Sequence, residues 1–308
     1  MTDDSVIQTE GLTKRFGKYA AVDNLSMEVR RGHVYGLLGP NGSGKTTTMG
    51  MLLGLLRPTA GSFRLFGSAS RHDELLRRVG AVIESPAMYP YLTGRENLAY
   101  FQLISGRGSP EELDQLIDRV GLTGRADGKF RTFSLGMKQR LGIAFALLGD
   151  PDLVFLDEPT NGLDPEGMIE VRELIRSLGD GYRTVLLSSH LLHEVEQVCD
   201  SVTIISRGKL IAQGEVSELV NADGREQVRV KTTDDESASG ILSALDWVEN
   251  VTASEDGSML ATAPMERSGD LTAALAQSQV YVTEMGPVKT SLEEYFLEVT
   301  HESDGGEE

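Results

Sequence analysis

Three short stretches of this 308-residue chain end an apolar run on residues able to do phosphate chemistry. Gly39, Pro40, Asn41, Gly42, Ser43, Gly44, Lys45 and Thr46 fit G-x-x-x-x-G-K-S/T, between the strand-like "HVYGLLGP" and the helical "KTTTMGMLLGLL". Gly39 and Gly44 let the backbone wrap a phosphate chain with its N–H groups turned inward. The helix start that follows adds a positive dipole end. Lys45 is placed for the β- and γ-phosphates. Thr46, followed by Thr47, sets a hydroxyl on Mg²⁺. The second stretch, "DLVFLDEP", delivers Asp157 and Glu158 at the end of an apolar strand. Asp157 can hold Mg²⁺ through water and Glu158 can polarise an attacking water; a carboxylate pair that merely caps a helix is the alternative. The third, "VLLSSH", ends on His190, which can hydrogen-bond a γ-phosphate. The chemistry these residue types share is nucleotide binding with hydrolysis.

Bringing strand ends together in this way requires an α/β core with a largely parallel sheet, whose ligands collect at the carboxyl ends of strands. "DLVFLDE" and "TVLLSSH" are apolar throughout, as buried parallel strands are. Residues 6–10 and 25–30 alternate like strands, with "KRFGKYAA" between them, and "AVIES" reads as another. An aromatic loop, "PAMYPYLTGRENL", follows. Ser109, Pro110 and Glu112 mark a helix start by N-cap, first-turn proline and capping box. Helical periodicity runs on to Leu122. After about Leu219 the pattern becomes strand-helix-strand twice over, the split βαβ signature of a small ferredoxin-like α+β domain. "SLEEYFLEVT" reads as a last amphipathic helix and "HESDGGEE" as a disordered acidic tail. The expected division is 1–220, 221–300 and 301–308.

The net charge of −18 is lopsided: residues 221–308 carry −14 of it. A broad basic surface for nucleic acid is therefore disfavoured. The acidity suits either a salty cytoplasm or a simply well-solvated domain. A single cysteine, Cys199, excludes an internal disulfide and fits a reducing compartment as a small buried helix residue. Trp247 reads as a core residue of the second domain. No apolar run approaches the roughly 20 residues that span a bilayer, and "MTDDS" is no signal peptide. Any membrane span must come from another polypeptide.

The order "GPNGSGKTT", "FSLGMKQR", "LVFLDEPTNGLDP", "LLSSH" resembles the ATP-binding subunits of ABC transporters over roughly residues 6–220. The resemblance implies a P-loop NTPase core with a helical subdomain at about 86–150. It implies ATP hydrolysis by Glu158 with His190, and a head-to-tail homodimer around two ATP. The helix start at "FSLGM" would present Ser134 and Gly136 to the partner's γ-phosphate, and "GLDP", residues 162–165, would line the seam. Phe16 would stack on adenine and Val22 would pack behind the ribose. Thr46, Asp157 and Glu84 would attend Mg²⁺. Two departures stand out: Leu135 and Met137 replace a Gly and a Gln of the common signature, and Glu84 stands where a Gln is usual. "IESPAMYPYLTGRENL" and "SLEEYFLEVT" are similar to exporters of the ABC-2 type, among them bacitracin- and lantibiotic-resistance ATPases. In that branch both departures are familiar. The ATPase serves a membrane permease in a separate chain, expected to dock on the loop 85–100 with Tyr89, Tyr91 and Tyr100. That implies a cytoplasmic protein, peripheral on the inner face of the cell membrane. A soluble ABC ATPase acting on ribosomes or DNA is the other reading, although it usually carries two cores or a long coiled coil. A non-hydrolytic binder is the third, and Glu158 with His190 speaks against it. The C-terminal domain either regulates or braces the dimer.

Overall fold

The computed structural model describes residues 5–69, 73–179, 181–220, 227–254, 257–288 and 291–297. The chain divides into two compact units, with the break between Val216 and Ser217. The expected tail 301–308 and the end of "SLEEYFLEVT" lie outside the described residues.

The first unit opens with β1 (Ser5–Phe16), β2 (Tyr19–Leu25), β3 (Glu28–Arg30) and β4 (Val34–Leu38), followed by α1 (Lys45–Leu52) and β5 (Ala60–Leu65). Next come α2 (Asp73–Arg77), β6 (Val79–Val82), α3 (Gly94–Ser105), α4 (Pro110–Arg119) and α5 (Leu135–Ala146). It closes with β7 (Leu153–Asp157), α6 (Pro165–Leu178), β8 (Thr184–Ser189), α7 (Leu192–Glu196), β9 (Ser201–Ser206) and β10 (Lys209–Glu215), and α8 (Val216–Val220) begins at the break. Strands β2, β1 and β3 form an antiparallel sheet, and β5 also pairs with β1. The other sheet runs β10-β9-β4-β8-β7-β6, parallel except for the edge strand β10. Strands β4, β7 and β8 are buried along their whole length, which is why their sequences do not alternate. One core joins the two sheets and α1, with Ile7, Leu12, Leu37, Met49, Phe155 and Leu186 closed to solvent. Each such side chain contributes about 1.5–3 kcal/mol by burial.

The amino-terminal hairpin differs from expectation. "KRFGKYAA" is not a connection between strands: β1 runs through to Phe16 and β2 resumes at Tyr19. Register shifts between Leu12, Lys14 and Arg15 break the alternation that would have marked one long strand. Helix α1 is also shorter than its apolar run, with Leu53 as C-cap and Gly54 turning the chain at positive φ.

Helices α3, α4 and α5 pack on one another between β6 and β7 in sequence. Asn97, fully buried, pins the preceding loop: it accepts from the Tyr89 N–H at 2.7 Å and donates to the Tyr89 and Thr93 carbonyls. Thr93 and Glu96 close a reciprocal capping box, and the Thr93 N–H holds the Glu96 carboxyl below its ordinary range. Glu112 accepts from the Ser109 N–H at 3.2 Å, as its spacing predicts. Helix α5 lies so close to β6 that a Cβ on Gly80 would stand 1.8 Å from the Ala146 carbonyl oxygen. That approach fixes where α5 ends. Cys199 is buried, and burial pushes its thiol well above the usual range.

The second unit contains β11 (Gln227–Thr232), α9 (Asp235–Ser243), β12 (Asn250–Ala253), β13 (Met259–Thr262), α10 (Ser268–Gln277) and β14 (Val282–Val288). Its antiparallel sheet has the order β12-β13-β11-β14, the arrangement that two interlocked βαβ units produce. Val228, Val230, Leu242, Ala261, Leu271 and Leu275 form its own closed core. Trp247 is only half-buried against that core, with the Arg267 guanidinium 3.9 Å over its ring.

Candidate functional site

The loop 39–44 leaves β4 and enters α1 with three glycines at positive φ: Gly39, Gly42 and Gly44. Two of them have no alternative. A Cβ on Gly39 would meet the Ile205 carbonyl oxygen at 2.1 Å, and one on Gly44 would meet that of Ala21 at 2.4 Å. Pro40, Asn41 and Gly42 stand exposed at the crown, whereas Ser43, Gly44 and Lys45 are buried. The Ser43 Oγ is buried with no hydrogen-bond partner. An orphaned hydroxyl inside a ring of backbone donors fits a phosphate oxygen. Lys45 Nζ donates to the Gly39 carbonyl at 2.7 Å and lies 3.2 Å from Glu158 Oε1. Thr46 is exposed and donates to Asp157 Oδ2 at 2.9 Å; Thr47 beside it is half-buried.

Strand pairing sets the other half. Asp157 on β7 lies opposite Ser188 on β8. Asp157 is 3% exposed and accepts from both the Thr46 and Ser188 hydroxyls. The Glu158 N–H donates to Ser188 Oγ at 2.9 Å. Glu158 itself has φ 48°, so the chain turns sharply after β7 and its side chain diverges from that of Asp157. Glu158 Oε2 is 2.8 Å from His190 Nδ1. Glu158 is thus held between Lys45 on one oxygen and His190 on the other. No trio of His, Cys, Asp or Glu gathers among the described residues. One carboxylate and one hydroxyl suit Mg²⁺, which keeps waters and takes phosphate oxygens for the rest of its shell.

Glu84 stands level with Glu158, each two residues beyond the paired Val82 and Leu156, and it shares the left-handed φ (59°). It is exposed, and among the described residues no hydrogen bond joins it to Asp157 or Thr46. Phe16 is 51% exposed at the β1–β2 turn with Lys14 Nζ 5.1 Å over its ring. Val22 is buried behind the loop, against Gly44. Ser134 caps α5, accepting from the Met137 N–H at 3.2 Å, and is itself exposed. Gly136 packs on α6: a Cβ there would lie 3.7 Å from the Gly167 Cα. The exposed Leu135 reaches Gly162, so "GLDP" and "FSLGM" share one surface. Residue reading missed two contributors. Ser188 bridges Asp157 to the Glu158 backbone, and the paired serines of "LLSSH" were its only trace. Tyr19 donates to the Gly42 carbonyl at 3.3 Å from the hairpin read as a connection.

These features define a phosphate loop with a carboxylate–histidine pair at the carboxyl edge of a parallel sheet, a nucleoside-triphosphatase site. Residues 22–161 match the family described as ABC transporter. The chain is 39% identical to the bacitracin transport ATP-binding protein BcrA of Bacillus licheniformis, over 96% of this chain and 97% of that one. It is 38% identical to the ABC transporter ATP-binding protein YdbJ of Bacillus subtilis over 99% of each. With the daunorubicin/doxorubicin resistance ATP-binding protein DrrA of Streptomyces peucetius it shares 37% over 96% and 92%. Among solved structures, cbiO1 of Clostridium perfringens, part of an ABC transporter complex, superposes with TM-score 0.63 at 27% identity, covering 72% of this chain and 92% of that one. The chain belongs to the ABC transporter family, as an ATP-hydrolysing, ATP-binding subunit.

Proposed function

We propose that the chain is the energy-coupling ATPase of an exporter, dimerising with a second copy around two ATP and driving an ABC-2 type permease carried by a separate polypeptide. The observation that carries the chemistry is the Glu158 carboxylate between Lys45 and His190. The loop amides 39–46 and Ser43 bind the phosphate chain, and a phosphate oxygen competes with the Gly39 carbonyl for Lys45. Thr46 and Asp157 would hold Mg²⁺, with Glu84 at the margin of that site. Bound there, the ion would supply charge neutralisation for the phosphate oxygens. Phe16 offers an exposed face for adenine, and Val22 backs the loop. Glu158 takes a proton from water as that water's oxygen bonds to the γ-phosphorus; the bond to the β-bridging oxygen breaks, giving ADP and phosphate. His190 orients Glu158 for that transfer.

The shared surface of Leu135, Gly136, Gly162 and Gly167 supports a seam at which Ser134 and Gly136 meet the partner's nucleotide. Tyr89, Tyr91, Leu103 and Ile104 support a docking patch for the permease: all four are exposed on a loop and helix that Asn97 holds rigid. Among the described residues no helix is long and apolar enough to cross a membrane, so a cytoplasmic position on the inner membrane face would come from that docking. Tagged Glu158→Gln recovered from its own cells in detergent with Mg-ATP tests this reading. A polytopic membrane protein in comparable amount is expected, and Tyr91→Glu should lose it. Ribosomal proteins in its place would favour the soluble reading.

A further inference from the structure

Helices α6 and α7 are tied together directly beneath the residues that do the chemistry. Asp164 caps α6 by accepting from the Gly167 N–H at 3.0 Å, so the helix is a direct continuation of "GLDP". Helix α7 starts at Leu192, two residues after His190. Between them Arg172 Nη1 donates to Glu194 Oε1 at 3.2 Å and to Gln197 Oε1. Both charged side chains are largely buried, 18% and 15% exposed. A pair desolvated to that degree adds little net stability over apolar packing, so stability alone does not account for it.

A second feature stands against the pair. A cavity of about 10 Å³ is bounded by Pro159, Thr160, Leu187, Ser189, Arg172 and Glu194. That is room for a single water molecule. Glu194 Oε2 is buried without a hydrogen-bond partner. The cavity wall therefore includes the residue after Glu158 and the residue before His190. Ser189 Oγ, on the same wall, accepts from the Leu191 N–H at 3.0 Å and so shapes the turn that carries His190.

We propose that Arg172 and Glu194, with one water bound at Glu194 Oε2, are positioning residues that set His190 against Glu158 and link that pair to the loop 162–165. The proposal rests on the reading of Glu158 as the group that polarises the attacking water. Neither side chain touches nucleotide or the reacting atoms. Helix α7 has five residues and little rigidity of its own, so its tether to the fourteen-residue α6 decides where the backbone at His190 points. A shift of residues 162–165 at the seam moves α6 as a rod, and the ion pair carries that shift to His190.

Steady-state ATP hydrolysis by the full chain, with thermal unfolding measured in parallel, tests this. Arg172→Met and Glu194→Gln should each lower kcat about tenfold while KM for ATP moves less than about threefold, and Arg172→Lys should recover part of the loss. In a His190→Ala background the same substitutions should cost nothing further, because the route they act through is already cut. An unchanged kcat, an equal fall in the His190→Ala background, a rise in KM alone, or a fall that merely follows loss of folded protein overturns the proposal. Glu158→Gln separates the two levels. If its turnover persists, the reading of Glu158 fails and the proposal with it. If its turnover collapses while the Arg172 variants behave as wild type, only the link through α6 and α7 fails.

Discussion

At the scale of residues, the site is a chain of contacts running from α1 to β8. Lys45, Glu158 and His190 form one line; Thr46, Asp157 and Ser188 form another. The Glu158 carboxylate and its amide variant differ in basicity and hardly at all in shape. Glu158→Gln should therefore keep ATP affinity and lower turnover by about 10²-fold or more, the usual worth of a positioned base. Nucleotide-binding titration beside phosphate release checks it, and retained turnover would remove Glu158 from its role. Glu158 and His190 were legible in the sequence because each sits one position past a strand end, and Lys45 because the glycine spacing before it is a local pattern. Ser188 and Tyr19 were not. Their roles depend on which strand lies beside which, and on a hairpin whose bulges hide its alternation. Glu84 stands level with Glu158 as its spacing implies, exposed, and among the described residues no hydrogen bond joins it to Asp157 or Thr46.

At the scale of elements, close backbone approach does what side chains cannot. The carboxyl end of α5 lies on β6 because Gly80 admits the Ala146 carbonyl, and the middle of the helix admits Pro86 at Gly142. Gly80→Ala forces a methyl to 1.8 Å from that oxygen. It should destabilise the first unit by about 3 kcal/mol, since backbone must move. Gly240→Ala, on an exposed turn of α9 with nothing within 4 Å, should raise the stability of the second unit by about 0.5–1 kcal/mol. Denaturant titration of each variant checks the pair; a neutral Gly80→Ala would mean that β6 and α5 are not locked together. The buried parallel strands were readable as apolar runs, whereas the bulged β1–β2 hairpin was not and α1 stopped short of its apolar run. Leu53 and Leu56 still pack on the core after the helix has ended, so burial and helicity part company there.

At the scale of the whole molecule, the two units have separate cores and different architectures, and composition already showed the change of texture near Leu219. What composition could not show is the surface on which distant motifs meet. "FSLGM" and "GLDP" lie some thirty residues apart in sequence and come together only where α5 crosses α6. The central claim is that this surface completes a second copy's site when ATP is bound. Sedimentation velocity of Glu158→Gln, with and without Mg-ATP, tests it most directly. The account predicts monomer without nucleotide and a dimer holding two ATP with it. A protein that binds ATP and stays monomeric, or is dimeric regardless of ATP, would contradict it.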